Sequence, residues 1–140
     1  MAKGNFRAAS ATAIISLIFA VSGFSYNAWR LEQSEENNIV RNAAFQVLTE
    51  LAEFEQVIYI NRYDGNEMEG SPRLGWVKIG LVYDLSMLIS QDVEQASAAL
   101  KAEWTETWPK IRKESDAVAA LLADVDVVRA AVKRRLLELQ

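Results

Sequence analysis

The sequence predicts an all-α protein in which a single N-terminal transmembrane helix continues into an antiparallel three- or four-helix bundle. Three observations carry this expectation. From Ala8 to Trp29 the chain runs 22 residues without a formal charge. Beyond residue 40, apolar residues recur at spacings of three and four, the period of a helix with one buried face. No stretch alternates apolar with polar residues in the manner of a strand, and 140 residues hold only two prolines and six glycines, so a β-rich or collagen-like chain is excluded. At this length the chain supports one folded body with one core.

The uncharged run comes first. At 1.5 Å per residue it makes a helix of about 33 Å, close to the hydrocarbon thickness of a bilayer. Residues 1–7 form a short basic segment with Lys3 and Arg7, and residues 8–29 form the transmembrane signal-anchor helix. Tyr26 and Trp29 close the span with Arg30 just beyond, where amphipathic rings and a snorkelling cation reach the headgroups. Ala20-Val21-Ser22 offers a small-x-small pattern for signal cleavage. The apolar stretch continues past it to Phe24, Tyr26 and Trp29, which favours an uncleaved anchor over a removed signal peptide and over a buried soluble helix.

Charge sets the expected orientation. Residues 1–29 carry two bases and no acid, whereas residues 30–140 hold the other 13 bases and all 19 acids. Counted on bases flanking the span, the difference places the N-terminus in the cytoplasm and the bundle outside it, in the periplasm if the cell is bacterial. Within the span, Ala9, Ala13, Ser16, Ala20, Gly23 and Asn27 recur at spacings of 4, 3, 4, 3 and 4. Small residues on one stripe let helix backbones approach closely in lipid, so this is the expected packing face for a second copy or another membrane protein. Alanine, glycine and serine are also common in spans, so composition alone explains such a stripe equally well.

Residues 30–39 are polar on nearly every side and contain no breaker, which predicts a solvated helical stalk. The bundle domain, 40–140, opens with Val40, Ala44, Val47, Leu51, Phe54 and Ile58 on a heptad seam, in a helix over about 40–62 closed by Arg62 and Tyr63-Asp64-Gly65-Asn66. Glu50, Glu53 and Glu55 read as wet surface. Ser71-Pro72 caps a second helix over 72–89, lined by Leu74, Val77, Leu81, Leu85 and Leu88 and weakened by Gly75 and Gly80. Ser90-Gln91-Asp92 resembles a helix start, giving a third helix over 91–107 with Val93, Ala96, Leu100 and Trp104 inward. The apolar period hardly shifts at Ser90, so one continuous helix over 72–107, and hence three rods, is the alternative. Pro109 interrupts the pattern, and a last helix over 110–139 carries Val118, Leu121, Val125, Val128, Val132, Leu136 and Leu139.

With four antiparallel helices the chain's end returns toward the membrane, and Lys133-Arg134-Arg135 can meet anionic headgroups. Otherwise these bases complement the negative end of the last helix dipole and stay solvated.

The chemistry open to the chain is narrow. It has no histidine and no cysteine, which removes imidazole bases, thiolate nucleophiles, disulfides and the usual zinc, haem and iron–sulfur ligands. No catalytic residue, metal ligand or cofactor is expected. Asp64-Gly65-Asn66-Glu67-Met68-Glu69 alternates oxygen ligands but lacks the glycine and distant glutamate of an EF-hand loop, and reads as a polar turn. An acidic domain without an aromatic and basic patch argues against nucleic acid. Trp76, Tyr83, Trp104 and Trp108 form a candidate ligand pocket between helices, with Asp84 beside them, set against ordinary core packing.

These features lead to a membrane-anchored scaffold or accessory subunit acting through protein contacts, with the bilayer and either itself or another membrane protein as partners. The alternative is a small-molecule-sensing helical module that signals through a partner, similar in general plan to the periplasmic helical domains of bacterial chemoreceptors.

Overall fold

The computed structural model describes residues 2–66 and 68–139, with side chains from residue 10 onward. Among the described residues there are helices and turns and no strand. Helix α1 runs Ala2–Tyr59, α2 Pro72–Ser86, α3 Gln91–Thr107 and α4 Ser115–Glu138. Two compact units result, Met1–Asn38 and Ile39–Gln140.

The first unit is helix throughout its described length, because nothing from residue 2 to 38 breaks one: it has no proline, and its two glycines, at 4 and 23, are isolated. The polar stretch 30–38 is part of the same helix, its side chains exposed except for a half-buried Asn37.

The second unit is a four-helix bundle formed by α1 from residue 39 onward with α2, α3 and α4. Pairings across it run in opposite directions. Arg41 meets Leu139, Glu55 meets Arg129 and Arg62 meets Ser115, so α1 and α4 are antiparallel. Trp76 meets Trp104 and Lys101 lies over Tyr83, so α2 and α3 are antiparallel. The core holds Ala44, Val47, Leu51, Phe54 and Ile58 from α1, Ile79 and Val82 from α2, Val93, Leu100 and Trp104 from α3, and Val118, Leu121, Val125, Val128 and Val132 from α4. Burial of this apolar surface is the main force holding the helices together.

The division of residues 72–107 into two helices has a local cause. Ser90 is extended and its Oγ accepts the Val93 N–H at 3.4 Å, with Asp92 and Glu94 in the first turn beside the helix's positive end. At the other end of α2, Ser71 Oγ accepts the Arg73 N–H ahead of Pro72.

Three expectations are corrected. Helix α1 does not stay α-helical to residue 62: Ile60–Asp64 is a π-helical turn, closed by Gly65 at φ 65°, whose N–H donates to the Ile60 carbonyl at 3.1 Å. The widened turn is held by tertiary contacts. Asn61 is buried and its Nδ2 donates to the Gly70 carbonyl at 2.6 Å, while Arg62 donates to the Ile111 and Arg112 carbonyls and to Ser115 Oγ. The last helix begins at Ser115 rather than 110, because residues 108–113 around Pro109 close into turns that bury Ile111. The inward face of α2 is Gly75, Ile79, Val82 and Ser86, one position on from the stripe of leucines read in the sequence. Leu81 and Leu85 are half-buried, whereas Leu74, Val77 and Leu88 are exposed.

Candidate functional site

In the first unit, the residues of interest are those of a bare apolar helix. Among the described residues, one helix is long and apolar enough to cross a membrane, and none of its most apolar window is buried within the protein. Ile14, Ile15, Leu17, Ile18, Phe19, Val21 and Phe24 are all more than half exposed, Phe24 reaching 77%. Apolar surface this continuous is rare among the exposed faces of folded domains. At its end Tyr26 and Trp29 lie with ring centroids 6.1 Å apart, with Arg30 following on the same helix.

Of the small-residue stripe, Ala13, Ser16, Ala20, Gly23 and Asn27 are exposed. A Cβ on Gly23 would meet nothing within 4 Å. Ala9, like Lys3 and Arg7, lies outside the residues whose side chains are described.

In the bundle, the four aromatic residues singled out by the sequence do not surround one opening. Trp104 is 1% exposed, its ring 5.0 Å from that of Phe54 and 6.3 Å from that of Trp76, both edge to face. Its indole N–H meets no acceptor among the described residues, so its desolvation is uncompensated. Trp76 lies at the rim of this cluster, 36% exposed. Tyr83 is covered on one face by Lys101, whose Nζ is 4.7 Å from the ring centroid, a cation–π contact. Trp108 lies elsewhere, in a depression of about 360 Å³ with Asn61, Pro72, Pro109 and Arg112. Asp84 is exposed. In the loop 65–70, Asn66 Oδ1 accepts the N–H groups of Met68 and Glu69 at 3.1 and 3.3 Å, an ordinary Asx turn, and Glu67 lies outside the described residues.

The acids of α1 correct the sequence reading. Glu50 is buried, and it shares Lys78 of α2 with Glu53, three residues further on the same face. Hydrogen bonds to Glu53 and then Glu50 hold the Lys78 ammonium above its ordinary pKa against the opposing effect of burial. Glu55 pairs with Arg129 of α4 at 2.5 Å, and Arg129 also holds Asp126. On the opposite side, burial and the nearby Glu103 raise the pKa of Asp124. The ion pairs tie helix to helix, and Glu53 and Lys78 also line a shallow depression of about 270 Å³ with Val57, Ile60, Glu69 and Leu74.

The bundle surface carries two apolar features that sequence periodicity missed. The outer side of α2 exposes Leu74 and Val77, Val77 to 64%, and Leu88 is exposed in the turn that follows. Between α1 and α4, a groove of about 530 Å³ is lined by Arg41, Phe45, Lys133, Leu136 and Leu137. Phe45 precedes the seam residue Val47 by two, and its isolation from the 3–4 pattern was the signal that it points outward.

No protein-family model, curated protein or solved structure matches the chain.

Proposed function

We propose that the chain is a single-pass membrane protein, anchored through residues 8–29, whose helical bundle acts as a scaffold or accessory subunit by contact with other proteins. The observation that supports this most is the bare apolar length of α1, where every large side chain from Ile14 to Trp29 is more than half exposed. In water that surface would be strongly unfavourable, and in a bilayer it is satisfied. Lys3 and Arg7 before the span favour a cytoplasmic N-terminus and an extracytoplasmic bundle.

Contact rather than reaction is supported by what the bundle offers. The Glu50–Lys78 and Glu55–Arg129 pairs join helix to helix, and the outer face of α2 presents Leu74 and Val77 to the surroundings, with Leu88 exposed in the turn that follows. Exposed apolar stripes of this kind mark protein contacts more often than isolated apolar residues do. In the membrane, the stripe from Ala13 to Gly23 is the proposed packing face, with a second copy or another span as its partner.

The test is extraction of membranes from cells that make the full chain. Alkaline carbonate should leave the intact protein in the pellet, and its release, or recovery of a form cut after Ser22, overturns the anchor. Crosslinking in those membranes should capture the chain with itself or a defined neighbour. Ala13→Leu with Ala20→Leu should reduce that product if the small-residue stripe is the packing face.

A further inference from the structure

Along the bundle portion of α1, charge is distributed in the reverse of the usual order for a surface helix, which keeps its charges on the wet side. Residues 39–62 hold five charged side chains, Arg41, Glu50, Glu53, Glu55 and Arg62. Each is turned to a neighbouring element: Glu50 and Glu53 to Lys78 of α2, Glu55 to Arg129 of α4, Arg41 to the Leu139 carbonyl, and Arg62 to Ser115 and the Ile111 carbonyl. The outward side carries none. Asn42, Phe45, Thr49, Ala52, Gln56 and Tyr59 are all exposed and recur at spacings of 3, 4, 3, 4 and 3.

This is a second heptad seam, beside the one that builds the core, and a 3–4 seam of this kind accepts the knobs of another helix. Its centre is uncharged, its ends are aromatic, and ion pairs flank it on both sides, Glu53–Lys78 toward α2 and Glu55–Arg129 toward α4. That is the anatomy of a protein interface, with charge confined to the rim. Phe45 is 59% and Tyr59 45% exposed, and Tyr63, stacked on Tyr59 at 6.3 Å, is 71% exposed. At about 200 Å² per ring these three leave about 350 Å² open, close to half of the roughly 800 Å² that one partner brings to a stable interface. Thr49, Ala52 and Gln56 between them are exposed as well.

We infer that this side of α1 pairs in parallel with the same side of a second copy of the chain. The inference rests on the proposed contact role and deepens it by naming the face and the partner. Charge selects the occupant. Residues 30–140 hold 13 bases against 19 acids, so two copies repel over most approaches, and an uncharged seam is where they meet without opposing charge. The seam is also its own complement: Ala52 at its centre lets the helices approach, and the Asn42 and Gln56 amides both donate and accept, so each can bond its counterpart across a two-fold axis. The rim selects the orientation. Antiparallel pairing about Ala52 sets Glu53 against its own copy and Arg41 against Arg62, whereas parallel pairing sets Glu53 beside Leu48 of the second copy.

The chain has no cysteine, so single introduced cysteines report pairing directly. The full chain in vesicles, carrying Thr49→Cys, Ala52→Cys or Gln56→Cys, is oxidised with copper phenanthroline, with Glu106→Cys on α3, also exposed, as the control. All three seam positions should form a disulfide-linked dimer, several-fold faster than position 106, because counterparts across a parallel axis lie within disulfide reach. In the Ala52→Cys chain, Thr49→Glu with Gln56→Glu should cut the dimer several-fold. Mixing that chain with an Ala52→Cys chain carrying Thr49→Lys and Gln56→Lys should restore it, which a merely misfolded variant would not do.

A dimer at 52 alone overturns the parallel register, and rates at 49, 52 and 56 no greater than at 106 overturn the pairing. A dimer that survives the paired glutamates overturns the seam as its cause. If the seam cysteines stay single while a lysine-reactive crosslinker captures the chain with a different protein, the second copy is overturned and the contact role stands. Capture of neither defeats both.

Discussion

A Cβ placed on Gly75 would lie 2.3 Å from Cζ2 and 2.7 Å from Cη2 of Trp104. The glycine of α2 is thus the floor against which the largest buried side chain packs, and the helix accepts its poor propensity to let the indole in. Gly75→Ala should destabilise the bundle by about 1–2 kcal/mol, because overpacking at a rigid ring outweighs the gain of about 1 kcal/mol in helix propensity. The urea midpoint of the full chain in detergent, followed by tryptophan fluorescence, measures it. Trp104→Phe shrinks the ring and removes the unpartnered indole N–H, so adding Gly75→Ala to it should cost less than adding it to the native chain, a coupling that a double-mutant cycle reads directly.

Gly80, five residues on, has the opposite expectation. A Cβ there would meet nothing within 4 Å, so no neighbour requires the glycine. Gly80→Ala should stabilise the bundle by about 0.5–1 kcal/mol through helix propensity and the reduced freedom of the unfolded chain. A rise of a few degrees in Tm is the corresponding readout.

These two glycines illustrate what the sequence made legible. The seams of α1, α3 and α4 could be read because each repeats large apolar residues such as Leu51, Phe54, Leu100 and Leu121 on one stripe only. Helix α2 carries two stripes. The leucines made the richer one, while the stripe that is buried contains Gly75 and Ser86, small residues whose role is fixed by Trp104 and the neighbouring helices rather than by their own hydrophobicity. At Ser90 the sequence left one helix or two open, because a local capping signal competes there with an apolar period that runs on almost unshifted, and the structure has the break. The π-helical turn was not legible, since it depends on Asn61 bonding to Gly70 and on Arg62 reaching the loop before α4, contacts distant along the chain. Of the candidate site, composition made the long, exposed apolar helix legible. The exposed groove at Phe45 and Leu137 required the pairing of α1 with α4.

Lys78 should matter more than a surface lysine. It is the cation that accompanies Glu50, whose side chain is only 11% exposed, while Glu53 on its other side remains near water. Lys78→Met leaves the Glu50 carboxylate without its partner and should cost about 1–3 kcal/mol. Adding Glu50→Gln should recover part of that loss, whereas adding Glu53→Gln should recover little. The raised pKa of Lys78 fixes the sign of its pH dependence. Its contribution is fully present below the lysine's ordinary value and is lost as pH rises through the higher folded value, so the cost of Lys78→Met should be constant across neutral pH.

Asp124 gives the complementary case. Burial, with a smaller effect of Glu103 across the α3–α4 contact, raises its folded pKa above that of the unfolded chain. The folded state therefore binds the proton more tightly, and stability contributed by this group rises as pH falls toward the unfolded value of about 3.9. Above the folded pKa the carboxylate opposes folding. Asp124→Asn should accordingly stabilise the bundle at pH 7, by about 0.5 kcal/mol or less because solvent screens the site, and the advantage should vanish below about pH 4, where both forms of the native chain are protonated. Urea midpoints of the native chain and the variant at pH 7 and below pH 4 provide the comparison. A gain equal at both values would mean that shape or local hydrogen bonding, rather than charge, limits packing between Asp124 and Glu103.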